Sequence, residues 1–99
     1  MMRSYELRIS PKAVMDLEDI WKFTLDLWSR EQADKYISSI ADAMSSLADG
    51  RAAGADSGYI RQGYCKFLSG SHVIYYRING EFLDVIRILH QRMDVKSHL

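Results

Sequence analysis

Ninety-nine residues with 13 cationic and 13 acidic side chains carry no formal net charge, so the chain makes one small domain without the bulk positive charge that nucleic-acid binding draws on. Its apolar runs fall far short of the roughly 20 residues that a bilayer span needs, and no hydrophobic leader opens it, so the cytosol is its expected place. The single cysteine, Cys65, allows neither an internal disulfide nor a CxxC pair and reads as a small packing residue. A domain of this size buries about two thirds of its unfolded surface, which leaves stability thin and favours a protein that works with a partner.

Tyr5, Leu7 and Ile9 alternate with Glu6, Arg8 and Ser10, the period-two pattern of a strand with one buried face. Ser10-Pro11 supplies an N-cap and a first-turn proline, and Val14, Leu17, Trp21, Leu25 and Trp28 then predict a helix from Pro11 to Trp28. Trp21 and Trp28 share one face of it and are expected in the core. Ile20, Phe23 and Leu27 form a second apolar stripe, wider than a helix resting on one surface needs, so a second neighbour is implied. After a break at Ser29-Arg30-Glu31, the positions Ala33, Tyr36, Ile37, Ile40, Ala41, Met44 and Leu47 mark a second helix and complete an antiparallel helix hairpin. Asp49-Gly50 ends it, and Arg51 to Gly58 reads as a surface loop.

The remainder reads as three strands, from Gly63 to His90, with turns at Ser69-Gly70 and Asn79-Gly80. A two-residue turn at Asn79-Gly80 sets Ile74 opposite Val85 and His72 opposite Arg87. A three-residue loop through Glu81 sets Ile74 opposite Ile86 instead, and the residues leave both registers open. The last strand is apolar on both parities, with Leu83, Val85 and Leu89 on one and Phe82, Ile86 and Ile88 on the other. Helices can cover only one of these faces, which leaves the second to loops, tail or another protein. Val95 to Leu99 is expected to be a disordered tail. The fold class is therefore α+β over residues 1–99: an antiparallel sheet with a two-helix hairpin packed on one face, in the order β-α-α-β-β-β.

Charge is unevenly spread. Pro11 to Asp49 sets four cations against eight carboxylates, whereas Gly50 to Leu99 sets seven cations against four. Arg77 and Arg87 stand inside apolar strands, where a guanidinium needs a partner. With Arg61 and Arg92 they either pair with helix carboxylates or the tail, or present a contact surface, and both remain open. His90, at a strand end, is read as holding the tail through a hydrogen bond ahead of acting as an acid or base. Tyr64, Tyr75 and Tyr76, at strand spacing, read as packing rather than base stacking. His72 and His98 lack companions at ligand spacing, so neither a metal site nor a cofactor is expected.

The order of strand, helix hairpin and three antiparallel strands ending in Arg87-Ile88-Leu89-His90 resembles the RelE/ParE toxins of bacterial toxin–antitoxin pairs. The resemblance runs through Ser10-Pro11-Lys12-Ala13, Asp16-Leu17-Glu18-Asp19-Ile20-Trp21, Trp28, Glu31-Gln32-Ala33 and Tyr36. It continues through Ile60-Arg61-Gln62-Gly63-Tyr64, Phe67, Gly70 to Arg77, Ile86 to His90 and Met93-Asp94, and the whole looks like the ParE branch. It implies a toxin that inhibits DNA gyrase, trapping it on cleaved DNA without catalysis of its own, and that forms a complex with a ParD-like antitoxin. The RelE branch instead cuts mRNA on the ribosome. Its members tend to place a basic residue where this chain has Val73, and only Arg87 and Arg92 surround His90, so an mRNA interferase is the second reading and a non-toxic or decayed binding module the third. The site implied has no catalytic residue, metal, cofactor or specific nucleic-acid contact. Arg61, Arg77, Arg87, His90, Arg92 and Met93 would touch the target, and Ile20, Phe23, Leu27, Val73 and Tyr75 the antitoxin.

Overall fold

The computed structural model describes residues 4–99. The described residues form β1 (Glu6–Ile9), α1 (Pro11–Leu27), α2 (Arg30–Ala48), β2 (Ala55–Asp56), β3 (Tyr64–Ser69), β4 (His72–Asn79) and β5 (Phe82–His90), with a 3-10 helix at Val95–Ser97. The Ser10 hydroxyl caps α1 by accepting from Ala13 N at 3.0 Å, and Pro11 fills the first turn, where no amide donor is needed. Ser29 caps α2 in the same way through Gln32 N.

The strands order as β1-β5-β4-β3-β2. The expected α+β arrangement holds with two additions. β1 lies parallel to β5, so the sheet is mixed, and the stretch expected as loop contributes the two-residue β2 along β3. The helix hairpin covers one face, where Ala13, Ile20, Ile40, Met44 and Leu47 pack on Ile74, Tyr76, Leu83, Val85 and Ile88. The buried line of α1 thus runs through Ala13 and Ile20 rather than through the tryptophans. Trp28 is 74% exposed as the C-cap, and Trp21 sits half-buried, donating Nε1–H to Asp34 Oδ1 at 2.9 Å. Small Ala13 lets the helix approach β5 closely, and a hydropathy pattern weighted to large residues passes over it.

Both hairpins close through two-residue loops one position later than expected, Gly70-Ser71 and Gly80-Glu81, with φ of 61° at Gly70 and 62° at Gly80. Positive φ at the first loop residue and nowhere else in the loop is the II′ pattern, which glycine alone adopts cheaply. Neither expected register of the last hairpin is observed. Tyr76 faces Val85, but Tyr75 faces Arg87, so Ile86 is an extra residue without an opposite partner, and beyond this bulge Ile74 faces Ile88 and His72 faces His90. The bulge also resolves the two apolar parities of β5. Leu83 and Val85 before it and Ile88 after it all turn to the helices, while Leu89 and Tyr75 are buried on the far face.

A bulge leaves backbone groups unpaired, and α1 takes them up. Ser10 N donates to Val85 O at 3.0 Å and Ser10 Oγ to Ile86 O at 2.7 Å. One turn on, Asp16 Oδ2 accepts from Ile88 N at 2.9 Å and from Arg87 Nε at 2.8 Å, while Oδ1 accepts from Arg87 Nη2 at 2.8 Å. The third face of this guanidinium reaches the tail, with Nη1 donating to His98 O at 2.9 Å. The tail expected to be disordered carries the 3-10 helix Val95–Ser97 and meets Arg87 through this carbonyl.

The side chains of Arg87 and Asp16 are only 17% and 11% exposed, so removing either strands the other in a poorly solvated place. Asp16→Ala and Arg87→Ala should each destabilise the domain by about 3–5 kcal/mol, and the double variant should cost clearly less than their sum in urea denaturation. A second comparison isolates the β3–β4 turn. A Cβ on Gly70 would lie 2.7 Å from the Tyr36 ring, whereas one on Gly80 meets nothing within 4 Å. Gly80→Ala should therefore cost only the left-handed strain of about 1–2 kcal/mol, and Gly70→Ala measurably more, with loss of the Tyr36 contacts seen in aromatic proton shifts.

Candidate functional site

Two histidines meet where β4 begins and β5 ends. The bulge sets His72 directly opposite His90, and their rings make an edge contact with centroids 5.3 Å apart. Tyr36 reaches across from α2, so that its hydroxyl oxygen accepts from Ser71 N at 2.9 Å and lies 2.7 Å from His72 Nδ1. His90 Nδ1 accepts from Arg92 N at 3.1 Å and His90 O from Met93 N at 2.9 Å, so His90 anchors the start of the tail. Burial, and then the nearby His90, push the His72 imidazole below its ordinary range, against a weaker opposing pull from Asp16.

Two hollows join at this pair. One, about 170 Å³, is lined by Phe23, Leu27 and Trp28 of α1, by Tyr36, and by both histidines. The other, about 260 Å³, continues between α1 and the tail past Asp19, Arg87, Met93 and His98. Phe23 and Leu27 are 64% and 61% exposed, and together with Trp28 they place three large apolar side chains in water at one end of the hairpin. Ile20, expected beside them, belongs to the core at 8% exposure because it points under the helix toward Ile88 and Met44.

The far face of the sheet carries a third hollow, about 520 Å³, lined by Tyr59, Lys66, Val73, Tyr75, Met93 and Val95. Val73 is half-buried there, but Tyr75 is only 7% exposed and offers little surface. The Lys66 ammonium donates to the Tyr59 hydroxyl at 2.9 Å and lies over its ring, so this edge is polar. Tyr64 and Tyr76 are buried and unavailable to bases. Nearer the second turn, Asp84 takes a bidentate hydrogen bond from Arg8 at 2.6 and 3.0 Å and faces Arg77 at 4.0 Å. The Arg8 bond, followed by the charges of Arg8 and Arg77, holds the Asp84 carboxyl below its usual range against the cost of burial.

Of the six residues expected to touch a target, two point elsewhere. Arg87 has every edge of its guanidinium engaged inside the molecule, and the Asp16 hydrogen bond raises its already high pKa. His90 holds the tail. Arg61 stands free of ion pairs over the Tyr64 ring, Arg77 is exposed beside Asp84, Arg92 makes no ion pair among the described residues, and Met93 is 48% exposed. Asp16, Tyr36 and Trp28 escaped the site expectation. Asp16 stands in a run with Glu18 and Asp19, and only its spacing of three from Ala13 and four from Ile20 marks it as facing the sheet. Burial raises the Cys65 thiol, aided by the Asp56 charge and opposed by Tyr76, which keeps it a protonated packing group at neutral pH. No helix among the described residues is long and apolar enough to cross a membrane.

Residues 7–95 match the family model described as ParE toxin of type II toxin-antitoxin system, parDE. Toxin ParE1 of Mycobacterium tuberculosis is 42% identical over 92 residues, which span 92% of this chain and 94% of that protein. Toxin ParE1 of Caulobacter vibrioides is 37% identical over 92 residues, spanning 93% and 95%. Among solved structures, the chromosomal ParDE TA system from P. aeruginosa superimposes with a TM-score of 0.78 at 22% identity over 87% of this chain and 95% of that one. The toxin–antitoxin complex RelBE2 from Mycobacterium tuberculosis gives 0.68 at 18% identity over 94% and 98%. The two structural matches concern the fold alone, and the family model and the sequence relatives carry the assignment. With strand order, helix hairpin and nearly its whole length matched, the chain belongs to the ParE family of toxins of type II toxin–antitoxin systems.

Proposed function

We propose that this toxin disables DNA gyrase by binding it, with no chemistry of its own, and that a ParD-like antitoxin neutralises it by seating a segment against the exposed end of the helix hairpin. The observation that carries the first half is the engagement of Arg87. Cleavage of RNA needs a base, an acid and a cation for the charge that develops at phosphorus. The arginine nearest to that role is committed to Asp16 and to the tail. The second half is supported by Phe23, Leu27 and Trp28, an apolar patch on a small domain, and by the solved structural relatives, which are toxin–antitoxin systems.

In this reading Arg61, Arg77, Arg92 and Met93 form the target surface, while Arg87 and His90 are positioning residues that fix the tail bearing Arg92 and Met93. Phe23, Leu27 and Val73 contact the antitoxin together with Trp28, and the buried Ile20 and Tyr75 support them from behind. Purified toxin added to gyrase and supercoiled plasmid should inhibit supercoiling, and added to translating ribosomes it should leave message intact. Cleaved message with unaffected gyrase would sink the proposal. Within it, Trp28→Ala should weaken antitoxin binding about thirtyfold, the loss of an aromatic anchor worth about 2 kcal/mol, as read by calorimetry. The same variant should unfold within about 0.5 kcal/mol of the parent, because Trp28 lies in water.

A further inference from the structure

We infer that the antitoxin segment seated at the end of α1 places an aspartate or glutamate carboxylate on the His72–His90 pair. The inference rests on the antitoxin reading above and adds the chemistry of the contact.

The argument starts from where the ring protons sit. His90 Nδ1 accepts the Arg92 amide, so it carries no hydrogen and the neutral ring holds its proton on Nε2. Tyr36 oxygen accepts from Ser71 N and lies 2.7 Å from His72 Nδ1, and we assign the Tyr36 hydroxyl as the donor in that contact, which puts the His72 proton on Nε2 as well. Neither Nε2 is sealed off. Among the described residues the one buried side-chain nitrogen or oxygen without a partner is Ser57 Oγ, so neither Nε2 is a buried orphan, and both rings line the two hollows. This tautomer disfavours a metal. A ligating Nε2 needs its Nδ1–H to donate outward, and at His90 an incoming amide occupies that nitrogen.

The smaller hollow, which both rings line, sets them against an apolar wall of Phe23, Leu27 and Trp28, with no carboxylate in its lining. Its 170 Å³ is several times the roughly 30 Å³ that a water occupies in the liquid, room for one side chain but not for a folded element. A group with two acceptor oxygens on one carbon matches two adjacent donors, and a carboxylate brings the opposite charge when either ring protonates. The surrounding charged and titratable groups are consistent with that sign. Asp16 of α1 is paired with Arg87 of β5, Asp19 of α1 and His98 of the tail line the neighbouring hollow, and the Tyr36 hydroxyl of α2 lies against His72 Nδ1.

A carboxylate against the pair favours imidazolium, so the complex takes up a proton that the free toxin, with His72 held down, does not. The test uses this toxin chain and a ParD-like antitoxin. Affinity should tighten by about tenfold between pH 8 and pH 6, the equivalent of one pKa unit, and His90→Gln should flatten that slope. Changing the docking segment's Asp and Glu residues singly to Asn and Gln should reveal one position that removes the slope from the unaltered toxin. Nitrogen-15 spectra of free toxin should show Nε2–H on both rings. A complex whose affinity is constant or weaker at pH 6, or an Nδ1–H tautomer on either ring, would overturn the carboxylate contact while leaving the antitoxin reading in place. Failure of the two proteins to associate at any pH would instead remove the antitoxin reading and the contact with it.

Discussion

The carboxylate of Asp16 is the grip on which the arrangement of this molecule depends. β5 bulges at Ile86 after β1 has ended beside it, so its outer edge presents a carbonyl and an amide with no strand to take them. Backbone groups left unpaired in a half-buried place cost about as much as the hydrogen bonds they lack, and a fold that keeps the bulge must answer them locally. Ser10 and Asp16, one turn and a half apart on the face of α1 that meets the sheet, supply a hydroxyl proton and a carboxylate. The same carboxylate then takes Arg87 on its remaining lone pairs, so one side chain fixes the strand edge, the cation and, through His98 O, the tail.

That grip decides which groups face outward. With Arg87 turned to α1 and His90 turned to the tail, Arg61 and Arg92 are among the cations of the basic half that make no ion pair among the described residues, and Arg77 shares Asp84 with Arg8. The acidic half keeps Phe23, Leu27 and Trp28 in water at the end of the hairpin, while Ile20, Ile40, Met44 and Leu47 lie under it. Ala13 and Ile20 bring α1 down on β5, and the two tryptophans, too bulky for that distance, remain at its side and end. Close packing beneath the helix and an exposed aromatic cluster at its tip are thus two consequences of one choice of small residues.

Element order, the caps at Ser10 and Ser29, and the glycine turns were legible because each rests on a local rule that neighbours in sequence satisfy alone. The register of β4 on β5 was not. Both expected pairings assume an unbroken ladder, and the bulge that invalidates them is stabilised by Ser10 and Asp16, more than 70 residues away in the chain. Apolar residues on both parities of β5 were the visible trace of it: a strand that changes face midway reads as apolar on both. Ile20 was misplaced for a related reason, since the helical stripe was drawn through its bulkiest members and Ala13 carries too little hydropathy to redirect it. The tail looked disordered because its anchor is a backbone carbonyl, which no side-chain pattern can show.

RelE-like and ParE toxins share a scaffold, so what separates them must lie in how side chains are spent on it. For Arg87 to meet a phosphate it would have to leave Asp16, stranding a carboxylate that is 11% exposed and freeing the tail from β5. Breaking such a pair costs about 3–5 kcal/mol, set against a total stability of about 5–15 kcal/mol for a domain of ordinary kind. Arg87 is instead an element of structure, and a sheet end organised around it is suited to holding a shape for a partner to recognise.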